Sequence, residues 1–139
     1  MSIKTIPELF IHTTKKHRNT KLYYEWNNNI VEKSYTGKEI YDITRTYVNG
    51  LLKLDKNKNT SIAIVAPNSP IWAMLDYAII ISGNISTGIF HELNSQTIIK
   101  RISESGARVV FIQSIDVLGD NIELLCENDV VQHVIIIDP

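Results

Sequence analysis

Few residues in this 139-residue chain stand at spacings that could do chemistry. Gly83-Asn84-Ile85-Ser86-Thr87-Gly88 has the glycine spacing that opens a Walker A loop, whose backbone amides cradle phosphates. The next residues are Ile89 and Phe90, where that chemistry needs a lysine and a Ser or Thr for magnesium. The segment leads directly into no helix, so it reads as a helix stop followed by a strand. No GxGxxG occurs, and the dinucleotide fingerprint is absent with it. Asn68-Ser69-Pro70 could hold an anion at a helix N-terminus, but a plain helix cap explains the same residues. His91-Glu92 could serve as an acid/base pair or contact a ligand; an exposed loop histidine is the competing account.

Metal and nucleophile chemistry finds little support. His12, His17, His91 and His133 show neither HxH nor HExxH spacing, so no metal site is expected. The single cysteine, Cys126, excludes a disulfide within the chain and a cysteine-cluster zinc site. Beside Leu125 it reads as a small core residue on an apolar helix face. A receiver-type phosphoacceptor needs an acidic pair after its first strand and an aspartate ending its third. The chain offers Pro67-Asn68, and then His91-Glu92-Leu93-Asn94 or Gln113-Ser114. Trp26 and Trp72 read as packing residues. Taken by themselves, the residues assign no catalytic, cofactor-binding or metal-binding position.

Composition narrows the partners. Fourteen basic against 15 acidic residues give a net charge of -1, which argues against duplex DNA or an anionic membrane surface. Hydrophobic residues make up 44% and charged residues 21%, ordinary globular usage. A chain of this length buries roughly 68% of its unfolded surface, enough for a real core. The longest apolar stretch, around residues 77–81, is too short to span a bilayer. Met1-Ser2-Ile3-Lys4-Thr5 lacks the apolar run of a secretion signal, so a soluble, cytoplasmic protein is expected.

The elements that must position any site follow from periodicity and caps. Pro7 suits the first position of a short helix reaching about His17, with Leu9 and Phe10 as its apolar contacts. Residues 21–26 and 30–35 read as strands joined at Asn27-Asn28-Asn29, because asparagine tolerates positive φ. Thr36-Gly37-Lys38-Glu39 is a capping box for a helix with Ile40, Ile43, Tyr47, Val48, Leu51, Leu52 and Leu54 on one face. A βα repeat follows. Strands are predicted over residues 61–66, 85–90, 108–112 and 133–137, with helices over 70–82, after Asn94, and over about 117–127. Gly83 and Gly106 stop two of the helices, while Gly119 lies within the last and weakens it. Short apolar strands alternating with amphipathic helices imply an open, mostly parallel α/β sheet with helices on both faces. Residues 1–139 are read as one unit, with a helix–hairpin–helix lead-in over 1–60 and βα repeats over 61–139.

The order of segments resembles a known family. Thr5-Ile6-Pro7-Glu8-Leu9-Phe10 is similar to the opening of bacterial long-chain acyl-CoA synthetases, members of the AMP-forming adenylate superfamily. Ser34-Tyr35-Thr36-Gly37-Lys38-Glu39-Ile40 resembles the superfamily's first core motif, (L/W)(T/S)YxEL. Residues 62–72, with Ala66-Pro67-Asn68-Ser69-Pro70-Ile71-Trp72, resemble its "vaIlseNrpeW" segment, and residues 80–90 follow the second core motif. Ser103-Glu104-Ser105-Gly106-Ala107-Arg108 and the strand His133-Val134-Ile135-Ile136-Ile137-Asp138 resemble two further stretches, in family order. Gly88 stands where the family usually has proline, and His91-Glu92-Leu93 replaces a Pro-Thr-Leu-like turn.

That resemblance implies an enzyme that joins a fatty acid to coenzyme A through an acyl-adenylate, using ATP and magnesium. It equally implies that the motifs present are scaffold. The phosphate-binding loop with its lysine, the adenine and ribose contacts and the mobile C-terminal domain come later in the family's order. No catalytic residue carries over, and an N-terminal piece of this kind is expected to be inactive alone. It is also expected to bind none of these cofactors tightly and to self-associate through surfaces the rest of the ligase would cover. The alternative reading is a free-standing, non-catalytic α/β interaction module.

Overall fold

The computed structural model describes residues 3–138. Backbone contacts divide them into two compact units interleaved along the chain: one runs to Lys56 and includes Asn68–Ser82, the other holds Asn57–Pro67 and everything from Gly83.

In the first unit, α1 (Ile6–Lys16) begins one residue earlier than proline usage predicts. Thr5 is the N-cap: its hydroxyl accepts the Glu8 amide at 3.3 Å while the Glu8 carboxylate accepts from the Thr5 amide. This second capping box puts Pro7 at the second helical position, where its missing N–H is still no loss. Strands β1 (Lys21–Asn27) and β2 (Ile30–Thr36) pair antiparallel. Asn28 and Asn29 take φ of 47° and 65°, so the asparagine turn forms as expected, with the handedness that suits twisted strands. Helix α2 (Gly37–Leu54) starts at the predicted capping box, with the Glu39 amide 3.2 Å from the Thr36 hydroxyl. The bonds from Thr36 hold the Glu39 carboxyl below its usual pKa, assisted by Lys21. Ile40, Thr44 and Leu51 are buried, whereas Leu52 and Leu54 are exposed and lie off the predicted apolar face.

Helix α3 (Pro70–Ile81) packs with α1 and α2. Ser69 caps it by accepting the Trp72 amide at 3.1 Å, and Pro70 occupies the first helical position. Phe10, Tyr35, Ile40 and Met74 form the unit's buried cluster, with the Phe10 and Tyr77 rings 4.6 Å apart. Each such side chain contributes on the order of 1.5–3 kcal/mol on burial.

The second unit is built on a four-stranded parallel sheet, ordered β4-β3-β5-β6, from β3 (Ser61–Val65), β4 (Ile85–Ile89), β5 (Ala107–Ile112) and β6 (His133–Ile136). Helix α4 (Ser95–Ser105) is capped by Asn94 and stopped by Gly106 at φ 64°. Ile98 and Ile102 of α4 enter a cluster with Ala63, Val65, Val110 and Ile112. The helix expected over 117–127 is not continuous. Two 3-10 turns, Ile115–Val117 and Gly119–Asn121, precede the short α5 (Ile122–Cys126), because Gly119 sits at φ 52°, outside helical space. Leu118 and Leu125 still reach the core, but Cys126 is exposed, contrary to its predicted place in the core. Adjacent helical positions point about 100° apart, so with Leu125 facing the core Cys126 turns outward.

Two glycines in α2 give opposite expectations for one substitution. A Cβ at Gly37 would lie 2.6 Å from the carbonyl oxygens of both Thr14 and His17, which are backbone and cannot rotate away. Gly37→Ala is expected to destabilise by about 2 kcal/mol in urea denaturation. A Cβ at Gly50 meets nothing within 4 Å, so Gly50→Ala is expected to stabilise by about 0.5–1 kcal/mol through lower unfolded-state entropy. Equal effects at the two positions would contradict the close approach at Gly37.

Candidate functional site at the carboxyl edge of the sheet

In an open parallel sheet, ligands sit beyond the carboxyl ends of the strands. The register aligns those ends here: Val65 pairs with Ile89 on one side and Ile112 on the other, and Ile112 with Ile136. Backbone bonds extend the ladders past the strands. The Gln113 amide donates to the Val65 carbonyl at 2.9 Å, Ile137 to Ile112 at 2.9 Å, and Asp138 to Gln113 at 3.0 Å.

This extension brings Gln113 and Asp138 together, with the Gln113 Nε2 3.4 Å from the Asp138 Oδ2. Sequence reasoning placed both at strand ends without pairing them; what pairs them is the adjacency of β5 and β6. At the other end of the edge, Phe90 and His91 meet ring to ring at 5.6 Å and 65°. Phe90 is 61% exposed, and the Leu93 amide donates to the Phe90 carbonyl in a tight turn. Among the described residues no hydrogen bond joins His91 to Glu92, so the two do not form a linked acid and base. The loop after β4 lies two strand positions from β5, roughly 10 Å away, and His91 is therefore not brought to the Gln113–Asp138 pair.

The segment with Walker A spacing does not form a phosphate cradle. Gly83 turns the chain at φ 85°, and the Asn84 Oδ1 accepts from the Thr60 amide and hydroxyl at 3.3 and 2.9 Å. Residues 85–89 are spent as β4. The Ser69 hydroxyl is likewise committed to its helix, while Asn68 is exposed. Among the described residues no three His, Cys, Asp or Glu side chains gather where they could hold a metal ion. No helix of the described residues is long and apolar enough to cross a membrane. The edge thus offers an aromatic pair, an amide and a carboxylate, with no nucleophile held by a base.

The chain is similar to known proteins in both sequence and fold. The chain is 35% identical over 101 residues to an acetyl-coenzyme A synthetase of Pseudoalteromonas translucida (strain TAC 125), an alignment taking in 71% of this chain but 15% of that enzyme. The structure superposes on an anthranilate CoA ligase in complex with anthranoyl-AMP with a TM-score of 0.81 at 16% identity, over 94% of this chain and 24% of that one. It superposes on a fatty acyl CoA synthetase of Mycobacterium tuberculosis with a TM-score of 0.79 at 18% identity, over 94% of this chain and 26% of that one. The chain therefore spans between 15% and 26% of the length of these relatives, and at such identities the solved structures speak to fold alone. The family model for AMP-binding enzymes matches residues 11–139, which takes in the hairpin, helices α2 and α3 of the first unit and the whole parallel sheet. On that match, the chain belongs to the AMP-binding enzyme family.

Proposed function

We propose that this chain is the N-terminal part of an AMP-forming fatty acid–CoA ligase that works in the cytoplasm. The observation that carries the reading is the family match over residues 11–139 together with its 35% identity to an acetyl-coenzyme A synthetase. In the reaction proposed, a carboxylate oxygen of the acid attacks the α-phosphorus of ATP and pyrophosphate leaves. The thiol of coenzyme A then attacks the acyl carbonyl and AMP leaves. A long acyl chain is favoured by the similarity of the Thr5-Ile6-Pro7-Glu8-Leu9-Phe10 opening to long-chain synthetases.

The residues of this chain do the positioning. The parallel sheet fixes a straight carboxyl edge, and its aligned loops are the surface against which the rest of the ligase would build the nucleotide site. The donors for ATP, coenzyme A and magnesium belong, on this reading, to polypeptide outside these residues. On this reading none of the 139 residues carries a catalytic role.

Two measurements test this reading. The 139-residue chain, given ATP, magnesium and palmitate, is expected to catalyse no ATP–pyrophosphate exchange above a protein-free blank; measurable exchange would contradict the scaffold role. Strand β6 ends the sheet order and carries half-buried Val134, Ile135 and Ile136 on an unpaired edge, so the chain is expected to self-associate. Light scattering that finds only monomer at high concentration would count against it.

A further inference from the structure

Charge is divided unevenly between the two units. The first carries ten Lys and Arg against seven Asp and Glu, net +3, and the second carries four against eight, net -4. A split of this kind in a chain of near-zero net charge marks surfaces suited to opposite charge. The positive excess gathers at one corner of the first unit. Lys15 and Lys16 lie in the last turn of α1 and Arg18 follows it. The Lys38 amide donates to the Arg18 carbonyl at 3.0 Å, which sets the start of α2 beside them. The Asp42 carboxyl is held below its usual range by its bond from Lys38, and Arg45 and Arg18 add to the effect, so both stand near it. All five cations are exposed, and among the described residues Lys15, Lys16, Arg18 and Arg45 form no ion pair.

Local stability accounts for only part of this corner. Lys15 and Lys16 suit the negative end of α1. Lys38 stands at the second position of α2, the positive end of its helix, where a cation is disfavoured. The negative excess of the second unit is equally local. No Lys or Arg follows Arg108, while Asp116, Asp120, Glu123, Glu127 and Asp129 are exposed and form no ion pair among the described residues. Asp120, Glu123 and Glu127 succeed one another at steps of three and four through the second 3-10 turn and α5, and so line one exposed side. Like charges at those spacings repel, and Glu127 ends α5 where a cation would be favoured.

We propose that the basic corner of Lys15, Lys16, Arg18, Lys38 and Arg45 is a docking face for a second copy of this chain, which presents to it the acidic stripe of Asp120, Glu123 and Glu127. The signs match face to face, and each face relieves the repulsion within the other. A long polyanion such as nucleic acid suits the corner less well, because the acidic second unit is tethered to it. Each exposed pair contributes little by itself and is screened by salt, so the contact needs several pairs at once and weakens steeply with ionic strength. The inference does not rest on the ligase reading. It is also distinct from pairing along β6, which buries apolar side chains and does not weaken with salt.

The test is sedimentation equilibrium of the 139-residue chain from about 10 mM to about 1 M sodium chloride, over which the screening length falls from roughly 30 Å to roughly 3 Å. The association constant is expected to fall by about tenfold or more across that range. Lys15→Glu with Arg18→Glu, and separately Glu123→Lys with Glu127→Lys, should each abolish the salt-sensitive association. Mixing the two double variants should restore it, because the reversed corner of one then meets the reversed stripe of the other. All four positions are exposed, and mixing would not rescue a folding defect. A mass of 15.8 kDa at every salt concentration, an association constant indifferent to salt, or no recovery on mixing would overturn the proposal.

Discussion

Strand β3 is hydrogen-bonded along both of its edges, to β4 and to β5, and this double pairing constrains the second unit. A strand in that position has water on neither edge, and Ile62, Ala63, Ile64 and Val65 are each at most 1% exposed. A polar side chain at any of these four positions would lose its hydration without a partner. The same pairing sets the geometry beyond the strands. Because Ser61 is level with both Ile85 and Ala107, and Val65 with both Ile89 and Ile112, the strands finish on one line. The loops that leave that line at Phe90, Gln113 and Ile137 are held in a row by backbone bonds, before any side chain contributes.

The first unit depends on a different constraint, a missing Cβ. The Gly37 amide donates to the Thr20 carbonyl at 3.1 Å and the Lys38 amide to Arg18 at 3.0 Å, so the start of α2 lies directly against the loop leaving α1. The Thr14 and His17 carbonyls come so close that only glycine fits. Thr36 and Glu39 then close the cap, and Lys21 at the start of β1 approaches Glu39 at 3.5 Å. Helix, hairpin and helix thus meet at one junction. The surface ion pair adds little to it, since both partners are in water; the backbone approach carries the arrangement.

Structure is legible in the sequence wherever its cause lies within four residues. The Thr36–Glu39 box, the Asn28–Asn29 turn, the Ser69–Pro70 helix start and the Gly106 stop all formed where they were expected. Structure departs from the sequence pattern where two local signals compete or the cause lies far along the chain. Thr5 and Glu8 form a second box that Pro7 obscured, and Gly119 broke a helix whose apolar spacing remained intact. The exposure of Cys126 follows from Leu125, its neighbour on the helix, taking the inward position. The Gln113–Asp138 pairing could not be read from spacing at all, because it depends on β6 lying beside β5, a choice made between strands rather than along the chain. The closeness of Gly37 to two carbonyls is of the same kind.

These constraints describe a scaffold: an aligned row of loops with neither a phosphate cradle nor a metal cluster among the described residues. Membership in the AMP-binding enzyme family gives that scaffold its context, and the chain spans 15% of the acetyl-coenzyme A synthetase it matches. The central claim, that these residues position a nucleotide site without themselves supplying it, is tested most directly by titrating the 139-residue chain with ATP and magnesium in a calorimeter. The account predicts no saturable heat up to millimolar nucleotide. A saturable isotherm with one site per chain would contradict it.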